Sequence, residues 1–279
     1  MHFYELDDEF LPVYSKIFNS KENSPLDIFI HVHYFGHRAG QQRSRDLSDK
    51  LGAILIEDCA HIISPNLMSS WKGDFLVFSP HKHFPLPKIG LVIARQPFIV
   101  KERNSIEHFP FIWFLKEILK KTRCSKSSVD WKQVWTKQKQ KLSAVGCNHH
   151  TKLVATSYLA GYLTSAEKRN KHAACLLLQL SSIDGWRPIQ AIDRIKSPYL
   201  FGMICETADL AKRRFTSLNK RSQLVMQWPD LPMEIKGDQA LESQCTKWVE
   251  KILFFFNHQQ LDIDSLSREI DIVINTDGF

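Results

Sequence analysis

"AILIEDCAH", Ala53 to His61, is the stretch that decides the fold. A near-continuous apolar run of this length is the pattern of a strand in a parallel sheet, buried on both faces. Working backward, Gly52 closes "QQRSRDLSDKLG", in which Leu47 and Leu51 lie one helical turn apart and the glycine acts as a stop. Before that helix, "DIFIHVHYF", Asp27 to Phe35, reads as a strand broken by Gly36. Strand, helix and strand in immediate succession form a βαβ unit and predict a parallel sheet. Working forward, "DFLVFS", Asp74 to Ser79, and "IGLVIAR", Ile89 to Arg95, add two strands around the proline-rich loop "PHKHFPLPK".

After about residue 100 the pattern changes. "FPFIWFLKEILKK" reads as a helix, "TRCSKSSVDWKQVW" as a polar linker, and "TKLVATSYLAGYLTSAEKRNKHAACLLLQLSS" as a long helical segment bending near Gly161. From Gly185 onward short pieces alternate. "SPYLFGMICE" and "KILFFF" read as strands, "TADLAKRRFTSLNKRS" and "DIDSLSREIDIVI" as helices. This predicts a second, smaller α+β unit. The 279 residues, 43% hydrophobic and 24% charged, suit a globular protein with a sizeable core. No apolar run is long enough to span a bilayer, and the acidic start "MHFYELDDEF" has no signal-peptide core, so a cytoplasmic protein is expected, with no membrane partner. Six cysteines without a C-x-x-C pair read as reduced structural thiols. The net charge of +7 is concentrated between Lys116 and Lys141, and no nucleic-acid-binding signature accompanies it, so no nucleic-acid partner is expected.

The chemistry collects at the strand ends. In open parallel sheets, ligands bind beyond the carboxyl ends of the strands. Asp58 stands at one such end, and Ser79, His81 and Lys82 follow the next. Strand alternation turns Glu57 to the opposite face, in a structural role. A carboxylate and an amine at one sheet edge suggest pyridoxal phosphate, which needs a lysine for covalent attachment and an acid to keep its ring nitrogen protonated. Each residue alone has an ordinary alternative: a cap for Asp58, a solvated cation for Lys82, a turn start for Ser79, packing for His61. Another arrangement is a metal cluster from His31, His33, Asp58, His61, His81 and His83, since an i, i+2 histidine pair on one strand face can chelate.

Six segments carry a resemblance to the DegT/DnrJ/StrS aminotransferases. "HYFG" at His33 to Gly36 resembles the family's His-x-x-Gly, and "IEDCAH" at Ile56 to His61 its Glu-Asp-x-Ala-His/Gln motif. "GDFLVFSPHKHFPLP", Gly73 to Pro87, resembles its Gly-Asp…Phe-Ser-x-x-Lys segment. "EKRNKH" at Glu167 to His172 is a looser match, as are "WPDLP" at Trp228 to Pro232 and "FNHQQL" at Phe256 to Leu261.

The resemblance implies an α/β fold of type I, aspartate aminotransferase-like. Its parts would be an incomplete, mostly parallel large domain with a helical extension over residues 1–165 and a smaller α+β domain over residues 166–279. It implies pyridoxal 5'-phosphate as cofactor. Asp58 would pair with the ring nitrogen, His61 would contact the phenolic side, and Ser79 would bond the phosphate. Lys82 would attach the cofactor and move the proton. The implied reaction passes an amino group from glutamate to a nucleotide-linked keto sugar, for polysaccharides or amino sugars. The implied assembly is a homodimer or a complementing subunit. Two departures stand beside it. The family's Gly-Ser/Thr phosphate turn and ring-stacking aromatic belong to a portion preceding "FYELDDEFLP", and the first glycine here is Gly36. The implied chain is therefore N-terminally truncated relative to the family. Relatives also carry Asp-Gly-Gly where this chain has Lys88, Ile89 and Gly90. The alternative function is accordingly a non-catalytic fragment or partner subunit.

Overall fold

The computed structural model describes residues 2–19, 26–63, 71–84, 90–97, 161–189, 197–220, 225–228, 231, 233–259 and 261–276. The helix expected in "FPFIWFLKEILKK", the polar linker after it, the start of the long helical segment and the prolines after Phe84 lie outside these residues.

The first sheet runs β1 (Ile28–Val32), β2 (Ile54–Asp58), β3 (Phe75–Phe78) and β4 (Leu91–Ala94), in that spatial order. The pairs β1–β2 and β2–β3 are parallel and β3–β4 is antiparallel. The βαβ unit is as expected, with α2 (Gln41–Leu51) between its strands. Gly52 ends α2 in the left-handed conformation, at φ 65°, where a glycine carries no Cβ penalty. The preceding α1 (Tyr14–Asn19) packs Ile17 with Leu47 of α2 and with Phe29, Ala53 and Leu55 of the sheet. One face of the sheet is thereby covered.

The other face differs from the expectation of a doubly buried strand. Ile54 is 45% exposed, and Ile28, Ile30 and Val92 are each 47% exposed. The register places Ile28 beside Ile54 and Val77 beside Val92, so these residues share that face, which among the described residues is left open. An apolar run shows that a strand can be buried twice; covering requires a second layer that the run does not itself encode.

The second sheet has the order β5 (Trp186–Pro188), β6 (Leu200–Cys205), β8 (Ile252–Phe256), β7 (Val225–Gln227) and is antiparallel throughout. Around it lie α3 (Tyr162–Leu180), α4 (Ala208–Asn219), α5 (Met233–Lys236), α6 (Gln239–Val249) and α7 (Ile263–Thr276). Thr207 caps α4 by accepting the Leu210 N–H at 3.1 Å. "ILFFF" is the strand covered on both sides. Leu253 and Phe255 pack with Leu176 and Leu180 of α3 and Ile270 of α7. Ile252 and Phe254 pack with Phe10 and Phe35 from the first part of the chain. Phe35 therefore sits where the two sheets' cores meet. The helix α3 runs continuously through residues 165 and 166 and gives Ala173, Leu176, Leu177 and Leu180 to the second core. Among the described residues, no helix is long and apolar enough to cross a membrane.

Candidate active site

Asp58 is the last residue of β2 and pairs across the sheet with Val77 of β3. Its Oδ1 accepts the Ala60 N–H at 2.9 Å, which bends the chain away from the strand. It shares its face with Ile54 and Ile56. Glu57 points the other way and is fully buried. One of its oxygens meets His33 Nε2 at 2.8 Å, and the other accepts the N–H groups of Lys72 at 2.6 Å and Gly73 at 2.5 Å. Burial works against the charge of Glu57, and the His33 contact with the two backbone donors outweighs it, leaving the carboxyl below its ordinary range. The structural role read for Glu57 from alternation is what these bonds describe.

The Gly-Asp pair of "GDFLVF" has a local reason. A Cβ on Gly73 would stand 2.8 Å from the Phe75 carbonyl and 3.1 Å from Glu57 Cγ, so only glycine lets the backbone reach the Glu57 carboxylate. Asp74 accepts the Leu55 N–H at 2.8 Å and Arg45 Nη1 at 2.9 Å, which ties the start of β3 to β2 and α2.

Lys82 lies on a 3₁₀ turn, Pro80–Lys82, directly after β3. Its N–H bonds to the Ser79 carbonyl at 3.0 Å. The Ser79 hydroxyl makes no capping bond to this turn. Burial lowers the Lys82 pKa from its usual value, against the opposing pull of the Asp58 charge. Lys82 Nζ is 3.3 Å from His61 Nε2. The His61 ring is stacked between Phe35, with centroids 5.9 Å apart and planes at 11°, and Tyr199, at 5.1 Å and 7°. His61 Nδ1 accepts the Phe35 N–H at 3.1 Å. Burial brings His61 down to about 3.

Asp58, His61, Ser79 and Lys82 thus arise from the ends of two adjacent parallel strands, and the structure brings Lys82 directly onto His61. The metal alternative does not assemble in this way. Among the described residues, the His/Cys/acid group with ligand atoms within 4.8 Å of one another is His33, Glu57 and Cys59, all buried. There His33 and Glu57 already bond each other, and burial keeps the Cys59 thiol protonated by pushing its pKa up.

Three contributors have no role in the sequence reading. Phe35 supplies a backbone N–H from the positive-φ region, at 56°. Tyr199, just before β6, supplies the second stacking ring. The third is a clamp: Arg169 of α3 donates through Nε and Nη2 to Gln259 Oε1, at 2.9 and 2.8 Å, and through Nη1 to His83 Nδ1 at 2.8 Å. Gln259 Nε2 donates to the His83 carbonyl at 2.7 Å, and His83 Nε2 lies 3.2 Å from the Ala60 carbonyl. "EKRNKH", "FNHQQL" and "HKH" converge here on the residue next to Lys82. The signal in the sequence was a set of polar residues inside otherwise apolar segments, without any indication that they meet.

At the level of sequence, no family model and no curated protein matches the chain. Solved structures do. Helicobacter pylori PseC, an aminotransferase involved in the biosynthesis of pseudoaminic acid, superposes with a TM-score of 0.70 at 15% identity, over 100% of this chain and 74% of that one. A DegT DnrJ EryC1 StrS aminotransferase from Brucella abortus gives 0.66 at 15% identity, over 99% and 73%. GDP-4-keto-6-deoxy-D-mannose-3-dehydratase from E. coli, solved with bound hydrated PLP, gives 0.62 at 13%, over 97% and 73%. At these identities the likeness establishes the fold, and the α/β fold expected from the resemblance is the one found.

Proposed function

We propose that the chain is a pyridoxal phosphate-dependent aminotransferase that moves an amino group from glutamate to a nucleotide-linked keto sugar, in the cytoplasm, as a homodimer or with a complementing subunit. The observation that carries this reading is the amine of Lys82 at the end of β3, on the flat, doubly stacked His61 ring, beside Asp58 at the end of β2. The residues fit the cofactor's requirements: an acid for the ring nitrogen, an amine for the aldehyde, His61 for the phenolic side and a hydroxyl at Ser79 for the phosphate. When bound, the cofactor supplies an electron sink. Asp58 would hold the ring nitrogen in its protonated form. His61 orients the amine of Lys82, and burial favours the uncharged form that can attack a carbonyl and then carry a proton. The family's lysine-free members dehydrate rather than transaminate; Lys82 favours transamination.

The test is treatment of the purified chain with pyridoxal phosphate and then borohydride, followed by peptide mass spectrometry. A pyridoxyl group confined to Lys82, and lost in Lys82→Ala, is expected. Labelling scattered over surface lysines would sink the reading. A second reading is a non-catalytic partner subunit, favoured by the open apolar face at Ile28, Ile30, Ile54 and Val92. In that case the chain alone leaves Lys82 unlabelled, and sedimentation shows it associated with a partner.

A further inference from the structure

The contact between His61 and Lys82 has only one arrangement of protons that satisfies it. The group facing His61 Nδ1 is the Phe35 backbone N–H, 3.1 Å away, which can only donate. Nδ1 must therefore offer its lone pair, and a neutral imidazole then carries its hydrogen on Nε2. That hydrogen faces Lys82 Nζ at 3.3 Å. An ammonium has no lone pair with which to receive it; an amine has. The two other arrangements are an imidazolium and an imidazole protonated on Nδ1. Both would set a ring hydrogen head-on against the Phe35 hydrogen.

The Phe35 donor is held firmly. Its φ of 56° is unusual for a bulky aromatic residue, and Gly36 follows at 88°. Its ring is wedged against Phe10, Phe254 and Trp228, with centroids 4.6 to 5.8 Å away. A side chain kept in so uncommon a backbone conformation points to a local purpose, and here the conformation aims the N–H at His61.

We propose that His61 is a positioning residue whose Nε2 proton, fixed there by the Phe35 N–H, holds Lys82 as a neutral amine before any cofactor arrives. The inference deepens the aminotransferase reading and rests on it for its biological meaning, although the proton arrangement itself needs no cofactor. Other groups around Lys82, among the described residues, also bear on the amine. Asp58 at the end of β2 opposes the effect by favouring the ammonium. His83 on the same segment is kept neutral by burial and by the Arg169 charge from α3. Tyr199 is kept protonated by burial. His81 neighbours Lys82 on its own turn.

The experiment uses the cofactor-free chain with ¹⁵N-labelled histidine, His61 being assigned by its loss in His61→Gln. Long-range ¹H–¹⁵N spectra near neutral pH should show Nδ1 unprotonated and Nε2 protonated. As pH falls, the Nε2 resonance should show a step whose midpoint matches that of Lys82 acylation by trace acetic anhydride, measured on the Lys82 peptide. The Lys82 midpoint should lie below those of the other lysines. Lys82→Met should abolish the Nε2 step. A proton on Nδ1 overturns the proposal, as does a Lys82 midpoint unaccompanied by any change at Nε2. If Lys82→Met does not fold, the comparison of midpoints in the unaltered chain decides by itself. A chain that shows the coupled step but is not labelled by pyridoxal phosphate keeps this inference and loses the enzyme reading; the converse result does the opposite.

Discussion

Glu57 and Asp58 are adjacent acids with opposite uses, and the rule separating them is the two-residue period of a strand. That difference was legible in the sequence, because it needs only local geometry. What surrounds the histidines was not, because their partners come from distant segments. His31 is fully buried beside His33, with its Nδ1 2.8 Å from the Ser44 hydroxyl, and burial brings it down to about 4. His61 stands at about 3 for the same reason, and His83 is held well below its ordinary value. Each is neutral in the folded chain and must take a proton on unfolding below the ordinary histidine pKa of about 6.5. Between that value and about 4 the unfolded state binds more protons, so stability falls with decreasing pH, by up to ~1.4 kcal/mol per unit per histidine. The lowered Glu57 contributes stability above the usual carboxylate pKa and loses it only as pH falls through its own depressed value, a lower window. Urea midpoints measured from pH 7 to 4.5 should therefore fall steadily. A flat profile over that range would contradict neutral buried histidines.

Among the elements, the βαβ unit was readable because β1, α2 and β2 each carry their own pattern and Gly52 marks the helix end. The strand in "HYF" was read too far: β1 stops at Val32, and a 3₁₀ turn, Tyr34–Gly36, takes over. Apolar composition extends through Phe35, but the Gly36 and His37 N–H groups turn back to the His33 and Tyr34 carbonyls and bend the chain there. Composition likewise failed to separate β2 from β8, both apolar runs, one open on a face and the other covered twice. β5 and β7, at three residues each, are too short to show a period. The turn itself predicts a mutational effect. Gly36 has φ 88°, and a Cβ there would stand 3.1 Å from the His61 carbonyl. Gly36→Ala should cost about 1 kcal/mol or more in stability and, by displacing His61, should slow pyridoxylation of Lys82. Unchanged labelling kinetics with a native melting curve would show that the turn does not govern the site.

Across the whole molecule, the site is built by two distant halves. Arg169 is completely buried and, among the described residues, its three bonds go to uncharged acceptors, Gln259 and His83. A buried guanidinium without a carboxylate is costly, and here it fixes the turn carrying Lys82 against α3 and the segment after β8. Arg169→Met keeps the apolar volume but removes the clamp. It should leave secondary structure by circular dichroism intact while reducing selective labelling of Lys82, with the melting temperature lowered by the equivalent of about 1–3 kcal/mol for the bonds lost. Selective labelling equal to that of the parent chain would show that the clamp serves stability alone. The sequence displayed all three members of this clamp, but nothing in one chain's local patterns indicates that positions so far apart touch.

The bond from Gln259 to the His83 carbonyl spans 176 residues. A ribosome delivers Lys82 long before it delivers the residue that locks the neighbouring backbone. Until then the first sheet can form from contacts that are close in sequence, while the turn bearing Lys82 has its local bonds but not the clamp from Arg169 and Gln259. The Gln259 lock on the turn bearing Lys82 thus forms only after residue 259 has emerged, so nascent chains short of that point would display the strands without it.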